Sequence, residues 1–477
     1  MVECNDPKLL EKYMKKKLWR IDMAKNQTLD MTRGNPLPLL IRFAVPLILG
    51  SLFQQLYSFV DTAIVGRCIS AEALTAVGVT GSLNFLVLGF TMGSAMGFCI
   101  PISQAVGAGD MDEVSRNFWN GLYLSIAIGL VISVGVSFFT RPLLAMMKTP
   151  PELLDMATEY LTVILAGQIT TVLYNYFAGV LRAFGDSKRP FWFLVISSCI
   201  NVVLDFALIL VIPMGVAGAA VATVISQAIS VVLCIWWLAK KMDVIRKVSD
   251  SGESLMKVSG AHMKKICVIG MPLGLEYSVC SIGNVVLQSS INTLGTVVAA
   301  AQVCGEKIRA IATLPMEALG TAMATYAGQN YGAKKMDRIK SGIKAGLTIV
   351  VVYCIAAWAV LALLKTPAVN LLLGETTTPE ALASVEYLSI ITTLFIFHGS
   401  LMIFRNTVQG MGFGASALAS AVMEIIGRSV AGLLAVHFGS FFLICVSAPM
   451  AWALACVCCI GLCAYYIPKK SREFAAQ

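Results

Sequence analysis

Apolar stretches broken by short polar connections run through the chain at about 40–66, 73–98, 118–140, 156–180, 190–212, 215–239, 266–293, 297–326, 342–364, 383–408, 415–437 and 441–467. Each is near the length of about 20 residues that a helix needs to cross the hydrocarbon core of a bilayer. The pattern predicts an all-α polytopic membrane protein with twelve transmembrane helices. Composition agrees: 57% of residues are hydrophobic and 13% charged, with a mean hydropathy of +0.78. A water-soluble globule is excluded.

The twelve segments are two copies of six. Gln104-Ala-Val-Gly-Ala-Gly-Asp-Met-Asp112 and Gln329-Asn-Tyr-Gly-Ala-Lys-Lys-Met-Asp337 match at Gln, Gly, Ala, Met and Asp in one register, which continues to Gly121-Leu122 against Gly346-Leu347. Pro46 and Pro272, each near the start of a half, agree within one residue. Six crossings return the chain to its starting side, so the repeats are parallel and related by an axis along the membrane normal. The expected domains are an N-terminal tail (1–39), an N-lobe (40–239), a polar linker (240–265), a C-lobe (266–467) and a C-terminal tail (468–477). Two bundles with a cleft between them suit a carrier better than a channel, which needs a ring of subunits.

The net charge of +9 is mostly a topology signal. Most Lys and Arg fall in the N-terminal tail, the even-numbered loops and the C-terminal tail, which places both termini in the cytoplasm. Lys307, Arg309 and Arg428 are the bases read within helices. No nucleic-acid partner is implied. Leu9, Leu10, Tyr13, Met14 and Leu18, among Lys8 to Lys25, recur near helical spacing and could lie along an anionic inner leaflet. The 14 Cys sit singly among apolar residues and read as packing. No metal motif, nucleophile with a matching base or phosphate loop is present, so no enzyme and no cofactor are expected.

Polar groups inside the spans carry the candidate chemistry, because an intramembrane carboxylate is costly and faces a partner or a polar cavity. Gln54, Tyr57, Ser58 and Asp61 fall on one face of the first helix. Asn201 and Asp205 stand one turn apart in the fifth, and the sixth opens with Gly215-Val-Ala-Gly-Ala-Ala-Val-Ala-Thr223. Small residues there allow close helix approach and could bring Thr223 to Asp205. Asp61, Asn201, Asp205 and Thr223 form an oxygen-rich set suited to Na⁺ or, through a partly desolvated carboxyl, to H⁺. In the C-lobe, Glu424 and Arg428 stand at i, i+4 as a gating or structural pair. Glu276 has no local partner and is a candidate for substrate contact, as are Gln54, Tyr57, Tyr174, Phe177 and Tyr277, whose rings could stack on organic cations. His398 could titrate near neutral pH.

Taken together, Tyr57-Ser-Phe-Val-Asp61-Thr-Ala-Ile-Val-Gly66, Leu181-Arg-Ala-Phe-Gly185-Asp-Ser-Lys-Arg-Pro190, Asn201-Val-Val-Leu-Asp205 and Gly215 to Thr223 resemble the multidrug and toxic compound extrusion family over about residues 36–467. The resemblance implies a multi-pass antiporter of the cell inner (plasma) membrane, a monomer, that expels small organic, often cationic, drugs in exchange for H⁺ or Na⁺. It assigns the cation or proton site to Asp61, Asn201, Asp205 and Thr223, with no metal beyond Na⁺. One branch of the family has acids where Cys280 and His398 align here, which shifts the expected coupling site to the N-lobe. A flippase for a lipid-linked precursor is the alternative.

Overall fold

The computed structural model describes residues 28–147, 149–241, 248–249, 252–374 and 377–476. The basic segment expected along the leaflet lies outside the described residues, as does the middle of the linker. The first bundle comprises α1 (Pro36–Cys68), α2 (Ala71–Phe98) continued by α3 (Ile100–Ala108), α4 (Met111–Phe138), the short α5 (Thr140–Met146), α6 (Pro151–Ala166) bent into α7 (Gln168–Ala183), α8 (Lys188–Phe206) and α9 (Gly215–Lys241). The second comprises α10 (Gly260–Thr293), α11 (Thr296–Gly332), α12 (Met336–Leu373), α13 (Pro379–Thr393) bent into α14 (Phe395–Gly410), α15 (Ala415–Phe438), the short α16 (Phe441–Cys445) and α17 (Ser447–Ala475).

Helix starts follow from local chemistry. The side chains of Asn35, Ser70, Asp110 and Thr378 accept the N–H of Leu37, Ala73, Glu113 and Ala381, satisfying first-turn donors. The fourth span of each half is bent, by 42° between α6 and α7 and by 46° between α13 and α14. The duplication thus extends to the kinks. Among the described residues, nine helices are long and apolar enough to cross a membrane alone, and the two bent pairs make eleven. The twelfth span is α11: Glu306, Lys307, Arg309 and Glu317 dilute its hydropathy, and much of its length is buried inside protein.

The two bundles touch along α2 with α10 and along α3 with α11, and the contact is graded along one stripe of glycines. A Cβ on Gly97 would collide with Gly270; one on Gly93 would stand 2.5 Å from the Leu273 carbonyl oxygen, and one on Gly89 2.9 Å from Tyr277 Cβ. Further along α2, Gly81 and Gly78 have nothing within 4 Å of that position. The lobes therefore close at the end that carries residue 28 and part at the other. There Gln54, Gln55 and Ser58 of α1 and Asn284 and Gln288 of α10 are exposed, as polar walls of a wet cleft are. The face expected to unite Gln54, Tyr57, Ser58 and Asp61 is divided: Gln54 and Ser58 are exposed, whereas Asp61 turns into the N-lobe.

The closed end is made by the duplicated motif itself. A Cβ on Gly107 would overlap the Gln329 carbonyl, and one on Gly332 would overlap the Gln104 carbonyl, so the two copies of Gln-x-x-Gly seat reciprocally on each other. Gln329 Nε2 donates to the Ala183 carbonyl at 2.8 Å, and Gln104 Nε2 to the Gly410 carbonyl at 3.2 Å. Ser103 Oγ donates to the Thr325 carbonyl, and the Met31 N–H donates to Gln329 Oε1 at 3.0 Å.

Gly107→Ala is accordingly expected to lower stability in detergent by about 1–3 kcal/mol, the usual cost of overpacking, whereas Gly81→Ala, in open space, leaves it unchanged. Thermal unfolding of the two variants beside wild type measures this, and equal melting curves would refute the graded contact.

Candidate functional site

The N-lobe gathers its polar groups where α8 ends and α9 begins. Asp205 lies in the last turn of α8, directly ahead of a π-helical turn at Ala207–Val211, the kind of insertion that re-phases a helix beside a functional residue. Gly218 packs against this turn, its absent Cβ 3.1 Å from the Leu208 carbonyl oxygen, and Ala219 and Ala220 are fully buried. This close approach brings Thr223 to α8. Asn201, with its amide oriented to meet both neighbours, donates to Asp205 Oδ2 at 3.1 Å and accepts the Thr223 N–H at 3.2 Å.

Asp61 of α1 completes the cluster. Its carboxyl lies against that of Asp205, and the two are 9% and 0% exposed. Asp61 Oδ1 and Asp205 Oδ1 have no hydrogen-bond partner among the described residues. Two carboxyls in direct contact cannot both be ionised without a counter-ion. The pair must hold a proton between its members or admit a cation. The Tyr57 side chain lies beside that of Thr223, whose hydroxyl donates to the Ala219 carbonyl at 3.1 Å. Tyr160, 8% exposed on α6, faces Asp61, Tyr57 and Asp205. Sequence reading passed over Tyr160, since a lone tyrosine on an amphipathic helix carries no local signal.

Other expected cavity residues lie elsewhere. Phe177 is packed in the N-lobe core with Phe118 and Tyr176. Tyr174 donates its hydroxyl to the Pro190 carbonyl at 3.3 Å, tying α7 to α8. Tyr277 is half exposed at the junction of the lobes, against Gly89. The described cysteines are all unpaired, and Cys456, Cys459 and Cys463 are buried in the C-lobe core.

The C-lobe differs most from expectation in its charges. Glu276 has a partner after all: Arg405 Nη1 stands 2.8 Å from Glu276 Oε1 and 2.9 Å from Glu424 Oε1. Gln409 donates to the other Glu276 oxygen at 2.8 Å. Arg428 pairs with Glu424 at 2.9 Å, as the i, i+4 spacing predicts, and also donates to the Cys280 carbonyl. Arg405, not singled out in the sequence although it lies within the apolar stretch 383–408, is carried inside on α14. A second pair, Arg309 with Glu306, is capped by the Tyr387 hydroxyl at 2.5 Å. His398 is buried against Trp452 with neither ring nitrogen hydrogen-bonded among the described residues.

The sequence profile of the MatE family matches residues 46–207 and 272–434, one copy in each half. A probable multidrug resistance protein of Bacillus subtilis is 31% identical over 315 residues, covering 65% of this chain and 68% of that protein. An FAD transporter of Shewanella oneidensis is 21% identical, covering 81% and 85%. Among solved structures, a MATE protein in a bent conformation superposes with a TM-score of 0.85 at 23% identity, covering 93% and 98%. A transporter of the MOP superfamily from Pyrococcus furiosus, described as having a binding pocket of reverse polarity, scores 0.85 at 22% identity, covering 92% and 98%.

Arg405→Ala leaves Glu276 buried with no cation beside it and is expected to cost about 3–5 kcal/mol, as removing one partner of a buried pair does. Asn201→Ala removes one donor and one acceptor and is expected to cost about 1–3 kcal/mol. Denaturant titration of the purified variants tests both, and an Arg405→Ala protein as stable as wild type would remove the ion network from the account.

Proposed function

Since the chain belongs to the multidrug and toxic compound extrusion family, whose members are transporters and not enzymes, we propose that it is an antiporter exporting small organic cations in exchange for an inward-moving H⁺. The observation that carries this reading is the buried carboxyl pair of Asp61 and Asp205. Two buried carboxyls set against each other favour a shared proton, and a second proton neutralises the pair. Asn201, Thr223, Tyr57 and Tyr160 hold the pair in place and are the positioning groups. Na⁺ coupling is the alternative, with the unpartnered carboxylate oxygens as its ligands.

In this reading the lobes rock about the closed end. The open cleft takes the ion from outside; loading it discharges the carboxyl pair and lowers the cost of closing apolar helices around it. Drug and ion use different conformations. One charge moving through 100 mV supplies about 2.3 kcal/mol, and each unit of pH gradient about 1.4 kcal/mol. These suffice for accumulation against a drug gradient. The protein is placed in the cell inner (plasma) membrane as a monomer with both termini cytoplasmic, supported by the concentration of basic residues at the closed end.

A flippase for a pyrophosphate-linked lipid requires a cationic chamber. The buried Arg309, Arg405 and Arg428 are matched by Glu306, Glu276 and Glu424, which speaks against it.

In proteoliposomes loaded with a fluorescent organic cation, an imposed pH gradient is expected to drive export by wild type, while Asp205→Asn and Asp61→Asn lose it by about tenfold or more. Export driven by a Na⁺ gradient alone would exchange the ion and keep the site. Undiminished export by Asp205→Asn would overturn the assignment.

A further inference from the structure

At the closed end, a recess of about 500 Å³ opens where α1 meets the start of α8. Arg42, Asp186, Ser187 and Lys188 supply its polar groups, and Leu29 and Gly185 form part of its wall. That wall is fixed, since the Leu29 N–H donates to the Gly185 carbonyl at 3.1 Å. Asp186 is committed elsewhere: its side chain accepts the N–H groups of Lys188 and Arg189 and pairs with the Arg189 guanidinium at 3.0 Å. Arg42 and Lys188, both exposed, have no carboxylate within 4.0 Å among the described residues. The Ser187 hydroxyl, on a residue only 3% exposed, has no hydrogen-bond partner among them. Two unpaired cations and an unused hydroxyl on a fixed wall are an anion receptor.

The recess does not stand alone. Ile41 and Val45 of α1 line it and also line a second groove, between α1 of the N-lobe and α11 and α12 of the C-lobe. No charged residue lines that groove; Ile48, Pro315, Leu319, Ile349 and Tyr353 are among its walls. Because α1 starts at the closed end, the step from Ile41 to Ile48 leads about 10 Å along the helix toward the bilayer middle. Trp192, one turn beyond Lys188 and 58% exposed, suits the boundary between headgroups and hydrocarbon, where indole rings gather. A cationic recess at the helix ends and an apolar groove leading from it into the bilayer fit a molecule with an anionic head and a hydrocarbon chain.

We propose that this surface is a binding site for one anionic phospholipid of the leaflet that meets the closed end. Arg42, Lys188 and Ser187 hold its phosphate, and one acyl chain lies in the groove between the lobes. Basic pockets between membrane helices select lipid head groups in this way. The chain before Thr28 is a poor occupant for the recess, because it is itself basic, with Lys8, Lys12, Lys15, Lys16, Lys17, Arg20 and Lys25. None of the residues that hold the lipid belongs to the Asp61 and Asp205 cluster, so the site stands apart from ion coupling and does not depend on the export reading.

Dioleoyl phosphatidylglycerol and dioleoyl phosphatidylcholine share their chains and differ in net charge, so they separate the two halves of the site. Native mass spectrometry of the purified full chain measures the binding of each. Wild type is expected to prefer phosphatidylglycerol by about 30-fold, the scale of two cations near a membrane surface. Arg42→Gln with Lys188→Gln abolishes that preference. Lys264→Gln with Lys344→Gln, an equal loss of charge at exposed positions elsewhere, leaves it intact. Ile349→Trp, which fills the groove, weakens both lipids by about 10-fold. Thermal unfolding without added lipid confirms that each variant is folded. Equal binding of the two lipids by wild type, or an equal loss in the two double variants, would overturn the site. Unaltered binding by Ile349→Trp would remove the chain from the groove, and release of the lipid by millimolar inorganic phosphate would give the recess to a soluble anion; either result refutes the lipid assignment.

Discussion

Two glycines seated on two carbonyls hold this molecule together. Gly107 against Gln329 and Gly332 against Gln104 are one contact made twice, by equivalent residues of the two halves about their shared axis. Only backbone meets backbone there, so α3 and α11 cross closely and the amides of Gln104 and Gln329 bond to carbonyls of neighbouring spans. Everything else is arranged around this crossing. The stripe of Gly97, Gly93 and Gly89 extends it, and the cleft begins where the stripe runs out of neighbours. Beside it a side-chain core also spans the lobes, with Leu40, Phe43 and Ala44 of α1 packed on Leu319, Met323 and Tyr326 of α11.

Charge is divided between the lobes to match. In the C-lobe, Glu276, Arg405, Glu424 and Arg428 neutralise one another and link α10, α14 and α15 into one body. In the N-lobe, Asp61 and Asp205 face each other without a base among the groups around them. The first arrangement resists change in charge and stiffens its bundle. The second exists in a definite state only when an ion or proton is present. On α10, Glu276 is tied inward to Arg405 and the next residue, Tyr277, is set against α2.

Much of the N-lobe cluster was legible in the chain because its members are local. Asn201 and Asp205 are one turn apart, and the run of small residues from Gly215 announces a close approach that the packing of Gly218 on Leu208 displays. The π turn that sets the phase of Asp205 has no sequence mark. Tyr160 could not be found because its relation to Asp61 spans about a hundred residues with no periodic signal. Arg405 was passed over for a different reason: it lies within the apolar run 383–408, but its partners Glu276 and Glu424 stand on other helices and leave no local mark in the chain. Phe177 and Tyr174 show the converse error, since an aromatic on a membrane helix looks alike whether it lines a cavity or fills a core.

What the sequence determined by itself is what depends on neighbours along the chain: twelve apolar spans, their caps and breaks, the duplication, and the polar groups too costly to be incidental in a membrane. Helical spacing and the absence of water inside a bilayer suffice for those. Which charges pair was decided only by the tertiary structure, because Glu276 and Arg405 meet across 129 positions through the packing of helices far apart in the chain. The same holds for the meaning of the repeated Gln-x-x-Gly. As a pattern it marked ancestry; in three dimensions each copy is the other's binding surface, because a twofold axis brings equivalent residues together where they cross it.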